Sequence, residues 1–345
     1  MIYKLRKMAI KPTLWCTANC DGCVSRQAYH NSIKRREMLS IEQWSQILKD
    51  TAEAGLERMS ISGGEPTLYP HLIDLIKEAK MNNITVQVNT NGSLITHELA
   101  GKLLEAGLDS VMISIYSHEA AKHDAFRRHK GLWDKATNAA RIFSELRKQY
   151  PHFILKTQTI LLRENYRHLH ELLELHQSLG SCTSQVSYLE GDFSKKHLMN
   201  VNEILYFKNR VVPKLVDFCS TLDPSLVPIS TNAVKNIMSD KAGTPDDLAQ
   251  GIYWKKNSCI IPQYFTIILA NGDVHPCNVV EYTHEPIMGN LFENSFKDIW
   301  RSEKWNRFRA GLFDTCKLCP MNIHAQIPLR PEAIAAPNKL PRVRT

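Results

Sequence analysis

Short apolar runs alternate with amphipathic segments from residue 9 to about residue 190. The runs Ala9–Leu14, Arg58–Ile61, Ile84–Val88, Ser110–Ile115, Ile154–Leu162 and Gln185–Leu189 have the length and composition of strands. Between them, Ile41–Ala54, His71–Lys80, Thr96–Ala106, Leu132–Lys148 and Tyr166–Leu179 repeat apolar residues at helical spacing. Gly55, Gly107 and Gly180 follow three of these as helix stops. Six strand–helix units predict an α/β fold in which a parallel sheet curls into a partial (β/α)6 TIM-like barrel. In such barrels the chemistry belongs at the C-terminal ends of the strands, on the βα loops.

The pattern changes after Glu190. Val201–Phe218 reads as a longer helix interrupted by Pro213, and Asp223–Gly251 as a connector. Tyr264–Leu269 and Asp273–Cys277 flank Asn271-Gly272 and predict a hairpin. A helix around Ser295–Arg309 follows, with Phe296, Ile299, Trp300 and Phe308 on its apolar face. The expected division is a barrel over 1–220, a connector over 221–254, a small C-terminal β-hairpin-plus-helix extension over 255–327, and a basic tail containing prolines over 328–345.

Composition narrows this only slightly. Of 345 residues, 43% are hydrophobic and 23% charged, as in an ordinary globular chain. No stretch approaches membrane-span length and no signal-peptide pattern follows the basic start, so a cytoplasmic protein without a membrane partner is expected. Nine cysteines in that setting favour metal ligation over disulfides. The formal charge is +8. Beyond the tail, the surplus fits either a scattered solvated surface or the lining of a pocket for an anionic substrate. No basic-aromatic repeat points to nucleic acid.

Cys16, Cys20 and Cys23 form a C-x3-C-x2-C run at the end of the first strand. Three thiolates on one loop can hold three irons of a cubane cluster and leave the fourth open to a small molecule; structural zinc favours four closed ligands. One strand later, Gly63-Gly64-Glu65-Pro66 joins two glycines, which permit close backbone approach, to a carboxylate suited to an ammonium group. A second set comprises Cys259, Cys277, Cys316 and Cys319. Four thiolates can close a metal site, as a zinc ribbon or as a cluster.

The paired C-x3-C-x2-C and Gly-Gly-Glu-Pro motifs resemble those of the radical S-adenosylmethionine (SAM) enzymes, over roughly residues 8–190. The resemblance implies a [4Fe–4S] cluster on Cys16, Cys20 and Cys23 whose open iron chelates SAM. It implies that Gly63, Gly64 and Glu65 position the methionyl amino group, and that reductive cleavage yields a 5′-deoxyadenosyl radical that abstracts hydrogen from the substrate. Val111–Ile115 looks like the fourth-strand segment whose serine contacts the SAM ribose, here Ser114. His123–Arg127 looks like the stretch whose arginine pairs with the SAM carboxylate, here Arg127. The family's aromatic residue before the third cysteine is replaced by Gly22. The C-terminal cysteines resemble the SPASM/twitch extension, which implies a second [4Fe–4S] cluster on Cys259, Cys277, Cys316 and Cys319, and an electron donor such as flavodoxin or ferredoxin.

Three functions compete. The first is a radical enzyme acting on a small-molecule substrate: a sugar, nucleoside or nucleotide-linked biosynthetic intermediate. The alternative is a peptide-modifying maturase, for which the 15 residues before Cys16 leave leader recognition to a separate partner. The third, an iron–sulfur sensor or electron carrier, has no use for an ammonium-binding Gly63-Gly64-Glu65 loop. Substrate contacts are expected at Arg163, Glu164, Asn165, Glu190 and Asp192, with Lys156 and Gln158 sharing one face of the fifth strand. Cys182 and Cys219 read as small core residues.

Overall fold

The computed structural model describes residues 3–23, 38–188, 196–221, 261–277 and 286–310. Six parallel strands, β1 (Lys7–Lys11), β2 (Arg58–Ile61), β3 (Thr85–Thr90), β4 (Ser110–Ser114), β5 (Ile154–Leu161) and β6 (Thr183–Tyr188), lie side by side in chain order. Helices α1 (Ile41–Glu53), α2 (Leu72–Met81), α3 (His97–Glu105), α4 (Ala120–Arg127), α5 (Leu132–Leu146) and α6 (Leu169–Ser178) connect them. The expected partial barrel is present.

The first strand ends three residues earlier than its apolar run suggests. Pro12 has no N–H to give to a ladder, so the chain leaves the sheet after Lys11 and residues 12–23 become the cysteine loop. Pro213 does not end its helix either. A π-helical turn, Phe207–Val211, joins α7 (Val201–Tyr206) to α8 (Val212–Thr221) and absorbs the missing backbone donor. Helix α4 was not anticipated as an element: its sequence, AAKHDAFR, is short and polar on average.

Alternate strand residues face opposite ways. Met8, Ile10, Met59, Ile61, Val86, Val88, Val111, Ile113 and Leu155 are buried in one core beneath the helices, together with Trp44, Leu75 and Phe143. Their in-register neighbours, among them Lys7, Arg58, Gln87, Lys156 and Gln158, therefore line the concave face.

The C-terminal extension grows from the barrel's own edge. β7 (Phe265–Leu269) pairs parallel with β1, then β8 (Asp273–His275) and β9 (Gly289–Asn290) continue antiparallel, giving nine strands in the order β6-β5-β4-β3-β2-β1-β7-β8-β9. The single helix expected near Ser295–Arg309 is two, α9 (Phe296–Arg301) and α10 (Glu303–Ala310), with Ser302 extended between them. Phe296, Ile299, Trp300, Trp305 and Phe308 join the barrel core, and Trp300 Nε1 donates to the Tyr3 carbonyl at 3.0 Å. Among the described residues no helix is long and apolar enough to cross a membrane.

One core contact makes stability depend on pH. His176 on α6 is fully buried; its Nε2 donates to the Ile115 carbonyl and its Nδ1 accepts from the Ser184 hydroxyl, each at 3.2 Å. Burial pulls its pKa down to about 4. The unfolded imidazole takes a proton near pH 6.5 while the folded one stays neutral, so stability falls as pH drops through 6.5 and levels off below 4. His176→Gln preserves both hydrogen bonds without titrating. The difference in urea unfolding free energy between wild type and H176Q should shrink by about 2 kcal/mol from pH 7 to pH 5. A difference constant with pH contradicts this account.

Candidate active site

The site is assembled from four consecutive strand ends. The cysteine loop leaves β1, Ser62–Pro66 leaves β2, Thr90–Ser93 leaves β3, and Tyr116 with α4 follows β4. The loop after β2 is threaded against the cysteine loop by backbone alone. Gly64 N–H donates to the Thr13 carbonyl at 2.9 Å and Glu65 N–H to the Trp15 carbonyl at 2.7 Å. A Cβ on Gly63 would strike the Thr13 carbonyl, and one on Gly64 the Trp15 carbonyl. Gly63 also sits at φ +132°, which L side chains avoid.

Glu65 is engaged within the protein. It is fully buried. One oxygen accepts from Thr90 Oγ1 at 2.6 Å, from Thr67 Oγ1 at 2.7 Å and from Thr67 N–H at 3.2 Å; the other accepts from Asn91 N–H at 2.8 Å. The carboxylate ties the ends of β2 and β3 together. Asn91, so placed, donates from Nδ2 to Thr17 Oγ1 at 3.0 Å and to Cys16 Sγ at 3.6 Å. His129 Nδ1 donates to the Thr17 carbonyl at 2.7 Å from the other side.

Helix α4 closes the arrangement. Its last carbonyls accept from the cysteine loop: Asn19 N–H to Arg127 at 3.2 Å and Asp21 N–H to Phe126 at 2.8 Å. Asp21 is held in turn by Lys196 and Arg128; the Lys196 hydrogen bond keeps its carboxyl below the usual range. Arg127 is therefore no surface charge. It is 6% exposed, its guanidinium lies 4.7 Å from the Tyr116 ring centroid, and its Nε has no hydrogen-bond partner. Burial opposes its charge, but Cys20, Tyr116, Cys16 and Cys23 around it win and raise its pKa. His123, one turn earlier, accepts Tyr116 N–H at 3.0 Å; burial lowers its pKa to about 3 and keeps it neutral. Ser114 ends β4, two residues before Tyr116.

The thiols lie within electrostatic reach of one another and of Arg127. Burial raises the pKa of Cys16 and pushes that of Cys20 up to about 11. Among the described residues no three side chains close on one point as a finished metal cage. The donor set nevertheless fits an iron–sulfur cluster: three thiols on one loop, glycine backbone beside them, and a buried guanidinium with an unused N–H. Metal binding here must displace protons from thiols that burial holds neutral.

Other expected residues fall elsewhere. Arg163 pairs with Glu203 at 2.9 Å, Glu164 with His197 at 2.7 Å, and Asn165 Nδ2 donates to the Tyr116 carbonyl at 3.0 Å, so these three bind the protein itself. Cys277 ends the hairpin and packs on the core. Cys259, Cys316, Cys319, Glu190 and Asp192 lie outside the described residues, as does the side chain of Cys219. Cys182 precedes β6 at the far end of the barrel, in contact with Arg147. Tyr116, His129 and Asp21 were missed; only the Asp21-Gly22 insertion between two cysteines offered a local signal.

Comparison with known proteins identifies the class. Residues 10–176 match the radical SAM superfamily and residues 259–320 the SPASM iron–sulfur cluster-binding domain. The AdoMet-dependent heme synthase of Methanosarcina barkeri is 25% identical over 325 residues, covering 91% of this chain and 88% of its own length. The PqqA peptide cyclase of Bradyrhizobium diazoefficiens is 26% identical over 318 residues, covering 88% and 76%. Among solved structures, Streptococcus suis SuiB bound to S-adenosylmethionine superposes with TM-score 0.67 at 16% identity, covering 93% of this chain and 70% of its own. The AdoMet-bound anSMEcpe gives 0.63 at 20%, covering 93% and 87%. At these identities the structural likeness is one of fold. The chain belongs to the radical SAM superfamily, and it is an enzyme of that class with a C-terminal SPASM domain.

Two substitutions test the geometry. Glu65→Gln puts an NH2 group where one acceptor oxygen stood, facing a buried donor, and should lower unfolding stability by about 1–3 kcal/mol, measured in urea. Gly64→Ala drives a methyl into the Trp15 carbonyl and should lose most of the iron taken up during anaerobic reconstitution. Wild-type iron content in G64A contradicts the packing described.

Proposed function

We propose that the protein is a peptide-modifying radical SAM enzyme, taking a hydrogen atom from a peptide seated on the concave face beside the cysteine loop. The reading is carried by the peptide cyclases named for PqqA, which align with 81% and 88% of this chain in two organisms, barrel and extension together. The sheet supports it: its two ends are β6 and β9, and it does not close on itself, so the concave face admits an extended chain.

A [4Fe–4S] cluster on Cys16, Cys20 and Cys23 with SAM supplies, when bound, reductive cleavage of the carbon–sulfonium bond and hydrogen abstraction. The chain's own contribution is placement. Arg127 offers a buried guanidinium N–H to the SAM carboxylate, the Gly63 and Gly64 backbone faces its amino group, and Ser114 lies where strand β4 meets the site. Glu65 and Asn91 hold the loop rigid from below, and α4 covers it from the side. Cys259, Cys277, Cys316 and Cys319 are proposed as ligands of a second [4Fe–4S] cluster, with flavodoxin or ferredoxin as reductant.

A second reading, a small-molecule substrate, is favoured by the heme synthase that covers 91% of this chain. The two separate by experiment. Anaerobically reconstituted protein should hold about eight irons, four per cubane. With dithionite, SAM and short peptides encoded beside its gene, it should release 5′-deoxyadenosine and change the mass of one peptide. Conversion of a small molecule with every peptide unchanged contradicts the proposal.

A further inference from the structure

Asn91 makes more contacts than a loop brace needs, and one of them ends on a cysteine sulfur. It follows β3 and is 4% exposed. Its N–H donates to a Glu65 carboxylate oxygen at 2.8 Å. Its Oδ1 accepts from the Ser93 N–H at 2.8 Å, the two-residue return that asparagine side chains make at turns. That leaves Nδ2, whose two hydrogens go to Thr17 Oγ1 at 3.0 Å and Cys16 Sγ at 3.6 Å.

The neighbours decide which way this amide faces. The Ser93 N–H can only donate, so the Asn91 oxygen must meet it, and the amino group is thereby turned toward the cysteine loop. Two more hydrogen bonds keep the loops in that register: Thr17 Oγ1 with Ser93 Oγ at 2.7 Å, and the Gly92 N–H to Thr90 Oγ1 at 3.0 Å. Few residues could replace Asn91. Aspartate keeps the oxygen but brings no N–H, and a serine hydroxyl ends one bond short. The Cys16 sulfur also accepts from the Ala18 N–H at 3.4 Å. Cys16 is exposed whereas Asn91 is buried, so the amide reaches the sulfur from the protein side, where water competes least.

A donor fixed at a ligand sulfur acts on the redox couple. Reduction of a [4Fe–4S]2+ centre takes one electron from the reductant and no proton, and part of the added charge resides on the thiolate sulfurs. An N–H pointed at such a sulfur stabilises the reduced form more than the oxidised one, which raises the reduction potential. We propose that Asn91 is a positioning residue that raises the potential of the cluster on Cys16, Cys20 and Cys23 through an N–H···S hydrogen bond to the Cys16 thiolate. The inference rests on the iron–sulfur reading above. It gives the end of β3 a part in electron uptake: the electron donor must reduce the cluster before SAM is cleaved, and Asn91 makes that reduction easier.

Potentiometric titration of the reconstituted full chain, followed by electron paramagnetic resonance, tests this. The signal that SAM alters marks the N-terminal cluster, and its midpoint is then read without SAM. Asn91→Leu and Asn91→Ser are both neutral, and both leave the sulfur without the amide N–H. At the potential that half-reduces the wild-type cluster, each should show a reduced-to-oxidised ratio about tenfold lower, a midpoint about 59 mV more negative for one electron. Ser93→Ala removes the hydroxyl bonded to Thr17 but leaves Nδ2 in place, and should keep the wild-type midpoint. A wild-type midpoint in either Asn91 variant overturns the proposal. So does an equal fall in Ser93→Ala, which would make loop packing the cause, or loss of bound iron in both Asn91 variants, which would make the residue purely structural. Wild-type protein with no SAM-sensitive signal overturns the cluster reading itself.

Discussion

The centre of this enzyme depends on a place where two backbones touch with no side chain between them. The loop after β2 crosses the cysteine loop at Gly63 and Gly64, and the carbonyls of Thr13 and Trp15 occupy the space that Cβ atoms would take. Two hydrogen bonds, from Gly64 and Glu65, then fix the cysteine loop to the second strand's end. Three cysteines spread over eight residues have no helix or strand to order them. Their order comes from neighbours: the glycine crossing, the buried Glu65 clasp acting through Asn91, His129 on the Thr17 carbonyl, and the end of α4 on Asn19 and Asp21. They come from the ends of β2, β3 and β4, so the barrel's curvature is what brings them together.

Charge follows the same geometry at two levels. At the C-terminal rim Arg127 is a buried cation packed on the Tyr116 ring beside the cysteine loop; its unused Nε marks where a further acceptor belongs. At the floor Lys7 stands beside Arg58 in the β1–β2 register, and Lys156 Nζ donates to Gln87 Oε1. The concave surface between is amide- and hydroxyl-rich, with Gln87, Asn89, Ser114, Gln158 and Gln185 half-buried. The outer face of the same strands is mostly apolar, with Thr157, Thr159 and Ser184 as buried hydroxyls. One sheet thus separates a packed core from a polar, positively charged trough, and its period-two alternation is the whole device.

Much of this was legible in the chain. The βα alternation gave the barrel because strand runs such as Arg58–Ile61 and helix stops such as Gly55 are local signals. Cysteine spacing and Gly-Gly-Glu-Pro marked the site because close backbone approach needs particular residues. What stayed hidden depends on long-range contact. That Glu65 also clasps Thr90 and Asn91, 25 and 26 residues later, shows only in the fold. Arg127 was legible by resemblance as a SAM contact, but its burial against Tyr116 shows only once its helix docks on the cysteine loop. The hairpin reads as a separate extension, since nothing in Phe265–Leu269 announces that it pairs with β1 more than 250 residues earlier. Lys156 was legible as facing a polar interior, but its hydrogen bond to Gln87 came only with the fold.

The central claim is that the Cys16–Cys23 loop, braced as described, holds an iron centre with a vacant position for SAM. It is tested most directly by electron paramagnetic resonance on reduced, reconstituted protein lacking Cys259, Cys277, Cys316 and Cys319, so that only the N-terminal site contributes. The account predicts a reduced [4Fe–4S] signal whose g values change when SAM is added, and a smaller change in Arg127→Leu. A signal indifferent to SAM in the otherwise intact site contradicts it.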